Sequence, residues 1–319
     1  EAFRHWDKDG AVPAGCARCH APPAGLKVYL ETGADPEEDQ PLPYGMSCGT
    51  CHTGEDYGGE APRHYVAKVT FPGGKEIMND EAKPDDSFLC MTCHQGRVGK
   101  ATIDDSIAGG TLRFLNVHYL AAGASLYGSE ASVGYEYEGK TYAGKFNHSG
   151  NAAPASCTFC HMDEGENHSF HAQITESCRD CHDEATAGDV HTIRKGRSDD
   201  YDGDGDSTEP LKDEIDALAA LLWAQIQQTA ADAGKPILAG SGYPYFFNDL
   251  NSDGTLDPDE AVRSNGYKSW TPALMKSVHN YQQSQKEHGA WAHNTKYTVQ
   301  LLIDSIEDLS GDVSGLSRP

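Results

Sequence analysis

Cys16-Ala17-Arg18-Cys19-His20 is the first of five segments with the same build. The others are Cys48-Gly49-Thr50-Cys51-His52, Cys90-Met91-Thr92-Cys93-His94, Cys157-Thr158-Phe159-Cys160-His161 and Cys178-Arg179-Asp180-Cys181-His182, here numbered motifs I to V. Together they use all ten cysteines of the 319-residue chain. Two cysteines at this spacing can form thioethers to the vinyl groups of a porphyrin, while the histidine that follows reaches the iron from the same turn. A redox dithiol or a zinc ribbon would not need a histidine after every second cysteine, and neither would a disulfide framework. The expected cofactors are therefore five c-type haems, with His20, His52, His94, His161 and His182 as proximal iron ligands.

The composition fits that expectation. Hydrophobic residues make up 38% of the chain, glycine occurs 34 times, and mean hydropathy is −0.60. Such a chain has modest means of building a core, and porphyrin faces would supply the missing apolar surface. Basic residues number 25 against 49 acidic ones, a net charge of −24. That balance argues against binding nucleic acid through its phosphates. No run of 18 apolar residues is present, so no membrane span is expected.

Whether an iron is closed or open depends on its sixth ligand. Ten histidines remain once the five proximal ones are set aside: His5, His64, His118, His148, His168, His171, His191, His279, His288 and His293. Supply exceeds need, which favours two histidines on each iron. His5, His118, His148 and His168 stand beside aromatic or apolar residues suited to packing on a porphyrin. His293 in Trp291-Ala292-His293-Asn294 completes the expected distal set, with His191, His64 and His171 as rivals.

The motifs start 32, 42, 67 and 21 residues apart, so a motif repeats and a structural unit does not. Tyr65 to Ile77 reads as a hairpin turning at Pro72-Gly73-Gly74, and Tyr135 to Phe146 as another around Glu138-Gly139-Lys140. Beyond about residue 195 the cysteines stop and helical patterns begin. Leu211, Ile215, Leu218, Leu222 and Ile226 share one stripe that ends at Gly234 and Pro236. A second helix starts at Thr271-Pro272 with Leu274, Val278 and Tyr281 on one face, and a third follows Asn294 with Leu302, Ile306 and Leu309. The expected fold is a mostly irregular, haem-wrapped chain with short helices and small β-hairpins over residues 1–195. A haem-free helical region with EF-hand-like calcium loops would cover 196–319.

Asp249-Leu-Asn251-Ser-Asp253-Gly254-Thr255-Leu-Asp257-Pro-Asp259-Glu260 matches the twelve-residue calcium loop: oxygens at positions one, three and five, glycine at six, a backbone carbonyl at seven and glutamate at twelve. The earlier run with Asp200, Asp202, Asp204 and Asp206 begins in the same register, but its twelfth residue is Leu211. Glu209, Asp213 or Glu214 would have to close it. Both loops read as structural staples. A calcium-dependent adhesion module would leave the haem motifs unexplained.

The five motifs resemble those of multihaem c-type cytochromes, specifically over residues 1 to 195. The calcium-loop region, with Tyr243-Pro-Tyr-Phe-Phe and Ala292-His293-Asn294, is similar to the tail of some multihaem cytochromes from metal-reducing and other anaerobic prokaryotes. In kind the chain also resembles extracellular cytochrome filament proteins, in which bis-histidine haems form a continuous chain and a distal histidine can come from a neighbouring subunit. It departs from the compact members in its long C-terminal segment without haem motifs. The resemblance implies electron transfer, other copies of the chain as partners in a filament, and redox proteins or extracellular acceptors as donor and acceptor. A soluble periplasmic shuttle is the nearest alternative, and a multihaem reductase of small oxyanions with one open iron is the enzymatic one. Haem of this type is attached after export, and the sequence starts at Glu1 without a basic, apolar leader. An exported protein whose signal peptide has been cleaved is expected, outside the cell or on its surface, with no spare cysteine for a lipid anchor.

Overall fold

The computed structural model describes residues 2–54, 61–148, 156–162, 167–185, 188–194 and 199–319. In the N-terminal half regular structure is sparse. Each attachment motif sits on a short helical turn: Ala14–His20, Cys48–Cys51, Ser87–His94, Cys157–His161 and Glu176–Arg179. In motif V the turn runs on, with the His182 N–H donating to the Cys178 carbonyl at 2.8 Å. Hydroxyl residues start three of these turns. Ser47 and Thr50 form a capping box, Ser156 Oγ accepts from the Phe159 N–H, and Thr175 Oγ1 accepts from the Cys178 N–H. Caps of this kind contribute about 1 kcal/mol each, which matters for helices too short to persist alone.

The expected hairpin at Tyr65 to Ile77 forms, as strands Lys68–Thr70 and Glu76–Met78 paired antiparallel with Val69 opposite Ile77. The hairpin expected at Tyr135 to Phe146 does not. The chain turns near Gly139, but no ladder is seen there. Three of its backbone N–H groups are taken by side chains instead. The Tyr135 N–H donates to Asn280 Oδ1, the Tyr137 N–H to the Tyr142 hydroxyl, and the Ala143 N–H to Gln300 Oε1.

Three longer helices follow the sequence pattern: Leu211–Asp232, Pro272–Lys286 and Thr295–Asp308. Thr271 caps the second and Asn294 the third. All three pack on one another around Leu218, Leu222, Leu274 and Leu302. Packing also crosses residue 195. Tyr297 and Leu301 of the last helix share a second core with Phe71, Phe88, Tyr127 and Val133. Gly134 allows a close approach there, since a Cβ at this position would fall 2.2 Å from Leu301. The C-terminal helices thus brace the segment that carries several of the candidate haem ligands. No helix among the described residues is long and apolar enough to cross a membrane.

Candidate haem and calcium sites

All ten cysteines are free of disulfides. In the five motifs the histidine Nδ1 has a hydrogen-bond acceptor. His20 donates to the Ala2 carbonyl at 2.9 Å, His52 to that of Ala61 at 2.9 Å, His94 to that of Leu120 at 2.8 Å and His161 to that of Phe170 at 3.0 Å. His182 pairs with the Glu184 carboxylate at 3.3 Å. An acceptor on Nδ1 fixes the tautomer, leaves Nε2 unprotonated for a metal and raises its basicity.

Four of these rings face a second histidine. His20 and His118 have centroids 5.8 Å apart, His52 and His168 6.4 Å, His182 and His148 6.0 Å, and His161 and His293 6.1 Å. A metal–imidazole bond is about 2 Å, so with ~1.1 Å more to each ring centre, two imidazoles on opposite sides of one metal stand about 6 Å apart. The residues therefore fit an iron between each pair. The partner rings come from the loops around 118, 148 and 168 and from the short helix Ala290–His293.

Burial and a carboxylate act in opposite directions on His293. Burial disfavours its charged form, but the hydrogen bond to Glu287 at 3.0 Å and that residue's charge prevail, so its pKa is raised. Burial, followed by the Arg97 charge, pushes His118 down to about 4, keeping the imidazole neutral as ligation requires.

The remaining histidines are placed differently. His5 is exposed, its ring edge-on to Trp6 at 4.7 Å, and Trp6 in turn lies 5.1 Å from His20. His64 engages the Gly49 carbonyl through Nε2 at 3.3 Å. His191 bonds Asp189 and packs on Trp291, and His171 is exposed. His279 is 2% exposed and is bound through Nε2 to the Val133 carbonyl at 2.7 Å, a core role. Among the described residues no histidine ring stacks across from His94.

The two acidic loops share one hydrogen-bond scheme. Asp249 accepts from the N–H groups of Ser252 and Gly254, Asn251 from Asp253 and Asp253 from Thr255. Asp200 accepts from Gly203 and Gly205, Asp202 from Asp204 and Asp204 from Asp206. Buried Glu260 closes the later loop by accepting from Leu250 at 2.7 Å and Asp257 at 3.2 Å. In the earlier loop the corresponding bonds, from Tyr201 at 2.7 Å and Asp202 at 3.1 Å, go to Glu214. Glu214 carboxylate oxygen clusters with those of Asp200 and Asp202, and Glu209 clusters with Asp202 and Asp204. Of the three closing residues the sequence offered, Glu209 and Glu214 thus stand among the loop's carboxylates. Burial and neighbouring carboxylates push Glu209 up to about 7, and its Oε1 is buried without a partner. Such a group suits a cation beside it. Asp206 instead turns to Thr208.

No family model matches the chain, and no solved structure does. Two curated relatives span nearly all of it. The C-type polyheme cytochrome OmcB of Geobacter sulfurreducens is 30% identical across 96% of this chain and 45% of its own length. The C-type polyheme cytochrome OmcC of the same organism is 29% identical across 95% of this chain and 43% of its own. The chain spans about half the length of these relatives. Over that length the chain is similar to C-type polyheme cytochromes, and its five attachment motifs agree with the similarity.

Proposed function

We propose that the protein carries five covalent c-type haems and conducts electrons through them without making or breaking substrate bonds. The thioethers would form at Cys16 and Cys19, Cys48 and Cys51, Cys90 and Cys93, Cys157 and Cys160, and Cys178 and Cys181. The observation that carries this reading is the set of four histidine pairs at iron-spanning distance. Each haem would supply an iron that alternates between ferric and ferrous. In four of the five motifs the chain's own histidine pairs would hold that iron in either state, which would keep reorganisation small. Calcium at 249–260 and at 200–214 would offset part of the −24 charge and fix the C-terminal loops.

The setting that suits this chemistry is outside the cytoplasm, at the cell surface or beyond it, with assembly into a filament as the leading arrangement and a soluble shuttle as the other. His94 favours assembly, because no second histidine faces it among the described residues and exposed His5 is available to a neighbouring copy. The same observation is the one that would suit an open, reductase-like iron.

Four measurements test the proposal. Intact mass and pyridine haemochrome absorbance should give five haems per chain. Carbon monoxide added to the reduced, assembled protein should leave the spectrum almost unchanged, and prompt binding at one haem would sink the closed-wire reading. Electron microscopy of protein recovered without chelator should show filaments with a regular repeat, and dispersed particles would favour the shuttle.

A further inference from the structure

Two three-residue segments, far apart in the chain, have the same build. In His118-Tyr119-Leu120 the His118 ring faces His20 of motif I, while the Leu120 carbonyl accepts from Nδ1 of His94 in motif III. In His168-Ser169-Phe170 the His168 ring faces His52 of motif II, while the Phe170 carbonyl accepts from Nδ1 of His161 in motif IV. The third residue of each is left-handed, Leu120 with φ of 55° and Phe170 with φ of 59°. Bulky side chains rarely adopt that conformation, and it persists where the surroundings enforce it. Here the enforcement is visible. The Leu120 N–H is tied to the Lys286 carbonyl at 3.0 Å, and the Ser169 N–H to Asn167 Oδ1 at 2.8 Å.

We propose that each elbow serves two haems at once, presenting the distal ligand of one and orienting the proximal ligand of the other, so that motif I is coupled to III and motif II to IV. The inference rests on the haem reading above. Neighbouring contacts agree for the first pair. The Ala14–His20 helix packs on Ser87–His94, and Cys19 Sγ lies 3.8 Å from the Thr92 carbonyl. The Cys157 N–H, in turn, donates to Ser87 Oγ at 2.9 Å, joining motif IV to III. Motif contacts therefore run I, III, IV and pass over II. A carbonyl on Nδ1 sets the orientation and basicity of the imidazole. Moving an elbow must then change both haems, and the coupling between them is reciprocal.

The test uses the assembled holoprotein and counts low-spin ferric haem signals by electron paramagnetic resonance, with the haem content of every variant measured by mass. Leu120→Pro and Phe170→Pro force φ to about −65° and swing the carbonyl away. Leu120→Gly and Phe170→Gly are controls, because glycine takes positive φ freely. Each proline variant should alter two of the five signals, a different two in each case, and the glycine variants none. One altered signal or none in a proline variant that keeps its five haems would overturn the proposal. Should a proline variant lose haem, His118→Met decides, since a second haem signal must then shift with the first, and a shift confined to one refutes the shared elbow. Failure of the haem reading itself looks different, because the unmodified protein would then lack five haems or low-spin signals.

Discussion

The rings of His20 and His118 stand at 88° to each other, whereas those of His148 and His182 lie within 7° of parallel. Both pairs have the spacing of two imidazoles on one iron, so they differ in orientation alone. Parallel imidazoles donate π density into the same iron d orbital and split it from its partner. Perpendicular imidazoles raise both equally and leave them close in energy. The motif I haem should therefore give a highly anisotropic low-spin signal with a large maximum g value, and the motif V haem a rhombic one. The pairs at 39° and 41°, His52 with His168 and His161 with His293, should fall between them. Frozen-solution spectra of the fully oxidised protein check this, and a single uniform class of signal would contradict the ring geometry.

His293→Ala should open one iron. His293 reaches motif IV from the C-terminal half, held by Glu287, which is 2% exposed. Without the imidazole the reduced protein should bind carbon monoxide at one haem more than the parent does. Glu287→Gln keeps the ligand but removes the charge that raises its basicity. It should leave carbon monoxide binding as in the parent and make the motif IV haem easier to reduce, as a stepwise redox titration would show.

Arg194 and Glu214 form a buried pair at 2.7 Å, with side chains 7% and 0% exposed. Arg194 also donates to the Glu209 and Asp199 carbonyls. Glu214→Ala would strand the guanidinium and free the Tyr201 and Asp202 N–H groups, a loss of about 3 to 5 kcal/mol. Chelator should lower the thermal midpoint of the parent protein more than that of Glu214→Ala, which keeps the 249–260 loop intact. Calorimetry with and without chelator separates the two contributions. An equal chelator effect in both would remove Glu214 from the calcium site.

The parts legible in the sequence are those whose signal is local. The attachment motifs carry their own spacing, the three C-terminal helices carry a 3.6-residue stripe with Thr271 and Asn294 as caps, and the Asp249 loop carries all its candidate ligands in twelve residues. His118, His148 and His168 stand out by their aromatic or apolar neighbours and His293 by its place in Trp291-Ala292-His293-Asn294, and each ring lies across from a motif histidine. Which ring each one faces was not legible, because His20 meets His118 and His161 meets His293 through tertiary packing alone. His5 carries the same local pattern but lies exposed against Trp6. The failed hairpin at 135–146 has the same cause in reverse. Its alternation is strand-like, yet Tyr135 and Ala143 are partnered by side chains on helices more than a hundred residues away.

Asn280 supplies the main one of those partners. Its Oδ1 accepts from the Tyr135 N–H at 2.7 Å, and its Nδ2 donates to the Tyr135 carbonyl at 3.0 Å and to Ser305 Oγ at 2.9 Å. The amide thus imitates a strand neighbour for one residue, inside the core at 1% exposure. Asn280→Ala leaves both backbone groups of Tyr135 buried and unpaired, each at about 1 to 3 kcal/mol. Asn280→Asp keeps the acceptor and should lose less on the Tyr135 N–H side, while stranding its carbonyl. Because the same segment runs on through Phe146 to His148, loosening it should also disturb the parallel pair that His148 makes with His182. The expected result is a lower urea midpoint by far-ultraviolet circular dichroism together with a weakened rhombic haem signal. A destabilised protein with that signal intact would show that His148 is held from elsewhere.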